Sequence, residues 1–267
     1  IENEIPSIMV TGSHIPEDRN GIKFNTPFGE ITKNDEAGIR QQKITVPRNL
    51  FSEQGYLKQE EPLPESASAV RDSYIKRYKD FFGSTLLGGL SIAVYEHSCV
   101  GRDLMIEILS SLGAEVTGLG RSETFIPVDT EAIRQEDIAL AAQWANEYNF
   151  DAIVSADGDC DRPLVADERG IWLRGDVAGI LCAGFFNADF VAVPVSCNTA
   201  LEKSQLFKKT ARTKIGSPFV IEAMSEAQEE YQTVVGYEAN GGFLLASSIL
   251  IESKELFALP TRVTFSD

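Results

Sequence analysis

The chain has little histidine, no paired cysteines and no long apolar run. Its 267 residues include two histidines and four cysteines, and none of the cysteines forms a CxxC pair. A zinc site of the Cys/His type is therefore not expected, and unpaired thiols favour a cytoplasmic protein. No apolar run approaches the roughly 20 residues that cross a bilayer, so no membrane span is expected. No basic segment followed by an apolar stretch marks a secretory signal at the start.

Basic residues are also scarce relative to acidic ones. The chain has 24 lysines and arginines against 40 aspartates and glutamates, for a net charge of −16. Nucleic acid is not expected as a partner, because its phosphate backbone requires a basic surface. Any anionic substrate must instead be attracted by local positive charge. The composition, with 43% hydrophobic residues, is that of a globular protein, and the length is sufficient for about two domains.

The most informative segment is an acidic loop at residues 157–162, with the sequence DGDCDR, which lies between two apolar runs. Asp157, Asp159 and Asp161 alternate along it. Carboxylates held this close repel one another unless a cation lies among them, and their hard oxygens suit Mg²⁺ or Ca²⁺ rather than Zn²⁺. Arg162 adds a fixed positive charge and a fork of donors that matches a phosphate. The pattern predicts a divalent metal beside a phosphoryl group.

Two other interpretations of the acidic loop are simpler. A solvated turn between strands would explain one Asp-Gly pair, but three alternating aspartates followed by arginine make it the weaker alternative. A calcium-binding EF-hand would place Asp157, Asp159, Asp161 and Glu168 at its first, third, fifth and twelfth positions. Its sixth position must be glycine and is here Arg162, and the flanks resemble strands rather than helices, so the EF-hand is excluded.

A second candidate loop follows the apolar run at residues 7–10. Ser13 has a potential base in the adjacent His14, and Lys23 supplies positive charge just beyond an Asn20-Gly21 turn. A nucleophilic serine needs a base, and a serine that carries a phosphoryl group needs positive charge around it. An ordinary polar turn explains this loop equally well when it is considered alone. Together, the two loops fit a phosphoryl-transfer mechanism assisted by a metal.

These loops and a third segment resemble the α-D-phosphohexomutase family, which comprises the phosphomannomutase and phosphoglucomutase enzymes. The resemblance is carried by residues 11–16 (TGSHIP) with 20–23 (NGIK), by the acidic loop, and by residues 236–242 (GYEANGG). In that family the first loop carries a phosphoserine, the second holds Mg²⁺, and the third, Gly-Glu-x-Ser-Gly, binds sugar hydroxyls. The resemblance extends over nearly the whole chain.

The resemblance implies a reaction that interconverts hexose 6-phosphate and hexose 1-phosphate, with mannose or glucose as the sugar. Its substrate would be a small phosphosugar, its cofactor Mg²⁺, and its intermediate and activator a hexose 1,6-bisphosphate. The implied catalytic residues are Ser13, His14, Lys23 and Arg162. The implied metal ligands are Ser13, Asp157, Asp159 and Asp161. The implied substrate contacts are Lys214, Gly216, Ser217, Glu238 and Asn240.

Several of these roles have plainer alternatives. Ser217 and Pro218 could simply start a helix, and Glu238 could belong to an ordinary turn between strands. The third loop also departs from the family pattern, since Tyr237 and Asn240 stand where glycine and serine are usual. The sequence therefore does not determine which sugar is preferred. Two alternative functions stay open, namely a phosphoglucosamine mutase and a non-catalytic sugar-phosphate or metal-binding protein of the same fold.

The expected fold is α/β, with successive similar domains whose mixed, largely parallel sheets are covered by helices. The family has four domains, so we expect a fragment that lacks part of domain 1 and all of domain 4. The expected boundaries are 1–68 for the end of domain 1, 69–171 for domain 2 and 172–267 for domain 3. Hydrophobic periodicity predicts helices over 69–82, 101–112, 130–148, 175–186, 199–208 and 218–230. Strands are predicted over 7–10, 90–95, 115–119, 151–156, 190–195 and 233–237, with a hairpin over 164–173 and irregular structure over 30–68.

Overall fold

The computed structural model describes most of the chain, namely residues 5–13, 15, 18–27, 29–31, 33–59, 62, 65, 68–246, 249–251 and 254–256. His14, a predicted catalytic residue, lies outside the described residues. No helix within these ranges combines the length and the apolar character needed to traverse a bilayer.

The described residues form helices and strands that alternate through most of the chain. The helices are α1 (Lys33–Arg40), α2 (Ser68–Phe82), α3 (Arg102–Ser111), α4 (Gln135–Glu147), α5 (Gly175–Phe185), α6 (Ala200–Ser204) and α7 (Ser217–Ala227). The strands are β1 (Ser7–Thr11), β2 (Gly21–Thr26), β3 (Gly29–Glu30), β4 (Ser91–Tyr95), β5 (Glu115–Leu119), β6 (Ala152–Ala156), β7 (Pro163–Ala166), β8 (Phe190–Pro194), β9 (Lys209–Thr213), β10 (Val234–Tyr237), β11 (Phe243–Leu245), β12 (Ile249–Ile251) and β13 (Lys254–Leu256).

The first α/β unit is a four-stranded sheet in the order β5-β4-β6-β7. Strand β4 pairs in parallel with β5 and β6, and β7 returns antiparallel to β6. The parallel strands need crossover connections, which α3 and α4 provide. Because helices cover the sheet, β4 is buried along nearly its whole length. Its core includes Ala93, Tyr95, Ile153, Leu164 and Trp172.

The second α/β unit repeats this arrangement with different residues. Its sheet has the order β9-β8-β10-β11, with β8 parallel to β9 and β10 and with β11 antiparallel to β10. All five residues of β8 are buried. In both units the third strand in sequence leads into a loop and then into an antiparallel edge strand. The predicted fold class, successive similar α/β domains with largely parallel sheets, is therefore confirmed.

Two further parts of the structure connect to these units. Helix α2 packs against α3, while its Phe81 belongs to the core of the second unit, so this helix joins the two units. Near the start of the chain, β1, β2 and β3 form a separate antiparallel sheet, in which Val10 pairs with Ile22 and Thr11 with Gly21. This small sheet carries Ser13 and Lys23 toward the acidic loop.

Two predicted helices begin or end elsewhere. Helix α4 starts at Gln135 rather than near residue 130, because Asp129 Oδ1 accepts hydrogen bonds from the backbone N–H groups of Glu131 and Ala132 and forms a turn of its own. Helix α6 ends at Ser204 rather than at 208, because Gln205 adopts a left-handed conformation with φ 55°. The chain then extends as β9, which the sequence prediction missed.

One other prediction was wrong. Helix α1 lies within residues 30–68, which were predicted to be irregular; it is a polar helix with acids in its first turn and Arg40 in its last, which complements the helix dipole. Ser217 and Pro218 do start a helix, since α7 begins at Ser217, and it ends at Ala227 rather than at residue 230. The residue before Ser217 is Gly216, whose φ of 122° is accessible to glycine and makes the turn possible.

Candidate functional site

The acidic loop connects β6 to the antiparallel strand β7 and is folded around its first aspartate. Asp157 N–H donates to Arg162 O over 3.1 Å, and Asp157 Oδ1 accepts from the backbone N–H groups of Asp161 and Arg162 over 3.1 and 3.2 Å. Cys160 N–H donates back to Asp157 O. These bonds hold three aspartates on a tight turn at the carboxyl end of β6, the edge at which open α/β sheets bind ligands.

The three aspartates meet the requirements of a divalent cation site. Ligand oxygens of Asp157, Asp159 and Asp161 all lie within 4.8 Å of one another. Asp157 is fully buried, and among the residues that the structure describes Asp159 Oδ1 has no hydrogen-bond partner. A buried carboxylate oxygen without a donor is costly unless a cation faces it. The donor set, made of hard oxygens alone, fits Mg²⁺ or Ca²⁺.

The pKa values of two of these carboxyl groups are shifted in opposite directions. Burial raises the pKa of Asp157 to about 6, with the charges of Asp161 and Asp159 adding to the increase and the hydrogen bond from Ser13 opposing it. Burial alone would also raise the pKa of Asp159, but the Thr11 hydroxyl and the Lys23 ammonium lower it overall. The hydrogen bond from Thr11 and the positive charge of Lys23 therefore favour the ionised form of Asp159.

Ser13 reaches the acidic loop from the small antiparallel sheet. Its hydroxyl donates to Asp157 Oδ2 over 2.5 Å. Thr11, at the end of β1, donates its hydroxyl to Asp159 Oδ2 over 2.8 Å and accepts a bond from Ser13 N–H over 2.9 Å. A Cβ atom on Gly158 would lie 2.4 Å from Ser13 O, so the serine backbone can approach this closely only because residue 158 is glycine.

Two cations lie beside the same carboxylates. Lys23 Nζ donates to Asp161 Oδ2 over 2.8 Å and to Asp159 Oδ2 over 3.2 Å. Burial by itself would lower the pKa of Lys23, but its hydrogen bonds and the charges of Asp161 and Asp159 raise it overall. Arg162 Nε is 3.8 Å from Asp161 Oδ1 and 4.0 Å from Asp157 Oδ2. Serine, lysine and arginine thus converge on one acidic centre.

The second unit carries a loop in the topologically equivalent position. Residues 238–242, which we call the glutamate loop, connect β10 to β11. Glu238 N–H donates to Gly242 O over 2.9 Å, and Asn240 Oδ1 accepts from Gly242 N–H over 2.9 Å. The buried Tyr237 ring packs against Gly179, where a Cβ atom would come within 2.5 Å of it. The tyrosine that replaces the family's usual glycine is therefore a core residue.

Thr130 is a residue of this region that the sequence did not reveal. Its hydroxyl donates to Asn240 O over 2.6 Å, across 110 positions of the chain, and the residue is 2% exposed. It belongs to the first unit, so this bond ties the glutamate loop to the unit that carries the acidic loop. No local pattern marks a contact of this kind, and only the three-dimensional structure could have identified it.

The remaining predicted substrate contacts lie at the start of α7. Lys214 and Gly216 follow β9, and Lys214 Nζ is 5.4 Å from the centre of the Phe219 ring. Strands β9 and β10 both run parallel to β8, so their carboxyl ends lie at one edge of the sheet. Lys214, Gly216 and Ser217 therefore share this edge with Glu238. These residues form a second group, distinct from the acidic centre around Ser13.

Comparison with known proteins identifies relatives along nearly the whole chain. The family model for phosphoglucomutase/phosphomannomutase α/β/α domain II matches residues 72–170, and the model for domain III matches residues 174–252. A phosphomannomutase of Salmonella muenchen is 50% identical over 262 residues, which are 98% of this chain and 53% of that protein. A phosphomannomutase of Sinorhizobium fredii is 46% identical over 259 residues, which are 96% of this chain and 53% of that protein.

The fold also resembles a solved structure. A phosphoglucomutase/phosphomannomutase family protein from Burkholderia thailandensis aligns with a TM-score of 0.67 at 20% identity, over 90% of this chain and 51% of that chain. At this level of identity the likeness concerns the fold alone. The present chain spans about half the length of the curated relatives that it matches.

Proposed function

The chain belongs to the phosphoglucomutase/phosphomannomutase family, and from this membership we propose that it acts within a phosphohexomutase that interconverts hexose 6-phosphate and hexose 1-phosphate. Mannose is the favoured sugar, because the relatives at 46–50% identity are phosphomannomutases. The observation that carries the proposal is the contact between the Ser13 hydroxyl and Asp157 inside a cluster of acids flanked by Lys23 and Arg162.

In the proposed reaction Ser13 carries the phosphoryl group. The bond between phosphorus and Ser13 Oγ breaks as a new bond forms to a substrate hydroxyl, and the hydroxyl loses its proton to a base. The product of this step is a hexose 1,6-bisphosphate. After it turns over in the site, its other phosphoryl group returns to Ser13 and leaves the isomeric monophosphate. Arg162 would hold a phosphate through its fork of donors.

The proposed ligands of Mg²⁺ are the carboxylates of Asp157, Asp159 and Asp161, together with an oxygen carried on Ser13. A divalent cation bound there supplies positive charge against the phosphoryl oxygens during transfer. The fit rests on the donor set and on the buried Asp159 Oδ1, to which no group of the described residues donates a hydrogen bond.

Proton transfer is assigned to Lys23 and His14. Because the pKa of Lys23 is raised overall, its ammonium stays charged at neutral pH. A charged ammonium suits proton donation and charge compensation better than proton abstraction. We therefore propose Lys23 as the proton donor for the returning step, and His14 as the candidate base for the first.

The sugar is proposed to bind at the edge that carries Glu238. A carboxylate only accepts hydrogen bonds, which suits two neighbouring sugar hydroxyls. Asn240 would contact the sugar ring. A phosphate or sugar oxygen would bind near the start of α7, at Lys214, Gly216 and Ser217. The proposed division of the chain is 1–68, 69–171 and 172–267, with Ser13, the acidic loop and the glutamate loop in successive domains.

Phosphopeptide mass analysis of Ser13, combined with mutase assays on the full-length protein, tests this proposal. Mannose, glucose and glucosamine 1-phosphates would be compared, each with a hexose bisphosphate primer. We expect phosphate on Ser13 and a fall of turnover to background in Ser13→Ala, with Ser7→Ala, an exposed serine of β1, as the matched control. Full turnover by Ser13→Ala would refute the mechanism, and an unphosphorylated protein without turnover would indicate a non-catalytic role.

A further inference from the structure

Two cysteines meet beside the acidic loop. Cys160 lies between Asp159 and Asp161, and its φ of 65° is a left-handed conformation that non-glycine residues adopt infrequently. Cys99 lies in the turn after β4, and the sulfurs of Cys99 and Cys160 both border Gly101. Both cysteines are free thiols. One of the two sulfurs is therefore built into the loop that carries the proposed metal ligands.

The surroundings hold these sulfurs close together. Val100 N–H donates to Gly158 O over 3.1 Å, which fastens the turn of Cys99 to the acidic loop. A Cβ atom on Gly101 would lie 2.3 Å from Cys160 Sγ and 3.9 Å from Cys99 Sγ, so glycine at 101 leaves the space that the two sulfurs occupy. Cys99 is buried, whereas Cys160 is partly exposed.

We propose that Cys99 and Cys160 form a dithiol modification site, which a hydroperoxide oxidises to a disulfide that weakens cation binding by the acidic loop. One of the two sulfurs attacks hydrogen peroxide, the O–O bond breaks, and a sulfenic acid and one water form. The other sulfur then attacks this sulfenic acid: an S–S bond forms, the S–O bond breaks, and the leaving hydroxide takes the proton of the second thiol to form a second water. Two electrons pass from the two sulfurs to the peroxide.

The disulfide is expected to distort the acidic loop because it shortens the distance between the sulfurs of Cys99 and Cys160. An S–S bond is about 2.05 Å long, so the two free sulfurs must move closer together to form it. Cys160 cannot shift alone, because its N–H is bonded to Asp157 O and its neighbours are Asp159 and Asp161. Supporting groups around a metal site are commonly worth 10- to 100-fold in affinity, and we expect the disulfide to lower Mg²⁺ affinity by about tenfold or more.

The experiment compares the reduced protein, the peroxide-treated protein and the protein reduced again. Peptide mass mapping locates the disulfide, and calorimetric titration with Mg²⁺ measures affinity without any assay of turnover. We expect a bond between residues 99 and 160, an affinity loss of about tenfold or more, and recovery on reduction. Cys99→Ser should form no such bond, whereas Cys182→Ala, in α5 of the second unit, should behave as the wild type does.

A reciprocal measurement makes the test independent of these variants. If the disulfide lowers Mg²⁺ affinity, saturating Mg²⁺ must lower the equilibrium constant for disulfide formation by the same factor, which glutathione redox buffers can measure. Absence of the bond between 99 and 160, or an oxidised protein with unchanged Mg²⁺ affinity, would overturn the proposal. The inference rests on the proposed metal site but not on the proposed reaction. Failure of the reduced protein to bind Mg²⁺ would overturn both the metal site and the role of the disulfide. A lack of mutase turnover would overturn neither of them.

Discussion

Ser13 and Asp157 are 144 positions apart in the chain, yet the serine hydroxyl donates to Asp157 Oδ2 over 2.5 Å. Three more side-chain bonds run beside it, from Thr11 to Asp159 and from Lys23 to both Asp161 and Asp159. All four join the small antiparallel sheet to the acidic loop of the first α/β unit. Because each link ends on a carboxylate of that loop, docking of the small sheet and the electrostatics of the site are coupled. Changes in the loop should therefore affect both cation binding and the placement of Ser13.

Replacing Asp159 by asparagine should weaken Mg²⁺ binding by about 100-fold, because the charge count of the ligands sets the affinity of such sites. Asparagine keeps one side-chain oxygen that can accept from the Thr11 hydroxyl, and Lys23 keeps its bond to Asp161, so the main change is the lost negative charge. Calorimetric titration measures the change. Asp167→Asn is the matched control: this aspartate pairs with Arg169 in the turn after β7, and its loss should leave Mg²⁺ affinity unchanged. Equal affinities for the two variants would contradict the assignment.

Gly158→Ala should displace Ser13 from the acidic loop. The new methyl group would lie 2.4 Å from Ser13 O, and a shift of about 1 Å in a reacting group can cost about 100-fold in rate. We expect a loss of that order in the rate at which a hexose bisphosphate phosphorylates Ser13, followed by mass spectrometry.

Gly184→Ala provides the control for that variant. This glycine lies in α5, and apart from its chain neighbours and its own helix backbone, no atom of the described residues lies within 4 Å of the added Cβ. Alanine is the better helix former, so the free energy of unfolding should rise by about 0.5–1 kcal/mol, with phosphorylation unchanged. A Gly158→Ala protein that is phosphorylated at the normal rate would show that close approach of Ser13 is not required.

The sequence was sufficient to predict the two α/β units, because their buried strands and amphipathic helices repeat at regular spacing. It also predicted that Ser13 and the aspartates would meet, since the resemblance linked the two loops. Helix boundaries were missed where a single residue changes the path of the chain. Asp129 forms its own turn, and Gln205 is left-handed, although neither is a glycine or a proline.

The contacts across the units could not be predicted from sequence. Thr130 and Asn240 are joined through a hydroxyl and a backbone carbonyl, and backbone carbonyls carry no sequence signal. The pairing of Cys99 with Cys160 depends on the space left by Gly101. Such contacts follow from the packing of elements that are distant in the chain, which periodicity and motifs do not describe.

His97 should make the protein less stable as the pH falls. The residue is fully buried, its Nε2–H donates to Ala156 O over 2.8 Å, and burial lowers its pKa below the usual 6.5. Below pH 6.5 the unfolded chain binds a proton that the folded protein does not, so the free energy of unfolding decreases until the pH reaches the folded pKa. The slope from this group is at most about 1.4 kcal/mol per pH unit.

Urea unfolding at several pH values between 5 and 8 measures this effect. The charges that act on the ring are Asp137, which favours the protonated form, and Arg134 and Arg102, which oppose it. His97→Gln keeps a donor for Ala156 O but cannot titrate, so the difference between wild type and variant isolates the histidine. A constant difference across this pH range would show that the pKa of His97 is the same in the folded and unfolded states.

Thr130→Val should loosen the glutamate loop without changing cation binding. Valine keeps the shape of threonine but removes the hydroxyl that donates to Asn240 O, and leaving a buried carbonyl without its partner costs about 1–3 kcal/mol. The loop is otherwise held on two sides, since a Cβ on Gly241 would lie 2.9 Å from Pro163 O and one on Gly175 would lie 2.3 Å from Gly241 N.

We therefore expect the Thr130→Val loop to shift rather than unfold. The KM for hexose phosphate should rise severalfold in the full-length protein, while Mg²⁺ affinity and phosphorylation of Ser13 stay as in the wild type. Thr130→Ser retains the hydroxyl and should restore the KM to within about twofold, because the serine donor can reach the same carbonyl. A Thr130→Val variant with reduced Mg²⁺ affinity and normal KM would place the effect of Thr130 on the acidic loop, and would contradict its role in positioning Glu238 and Asn240.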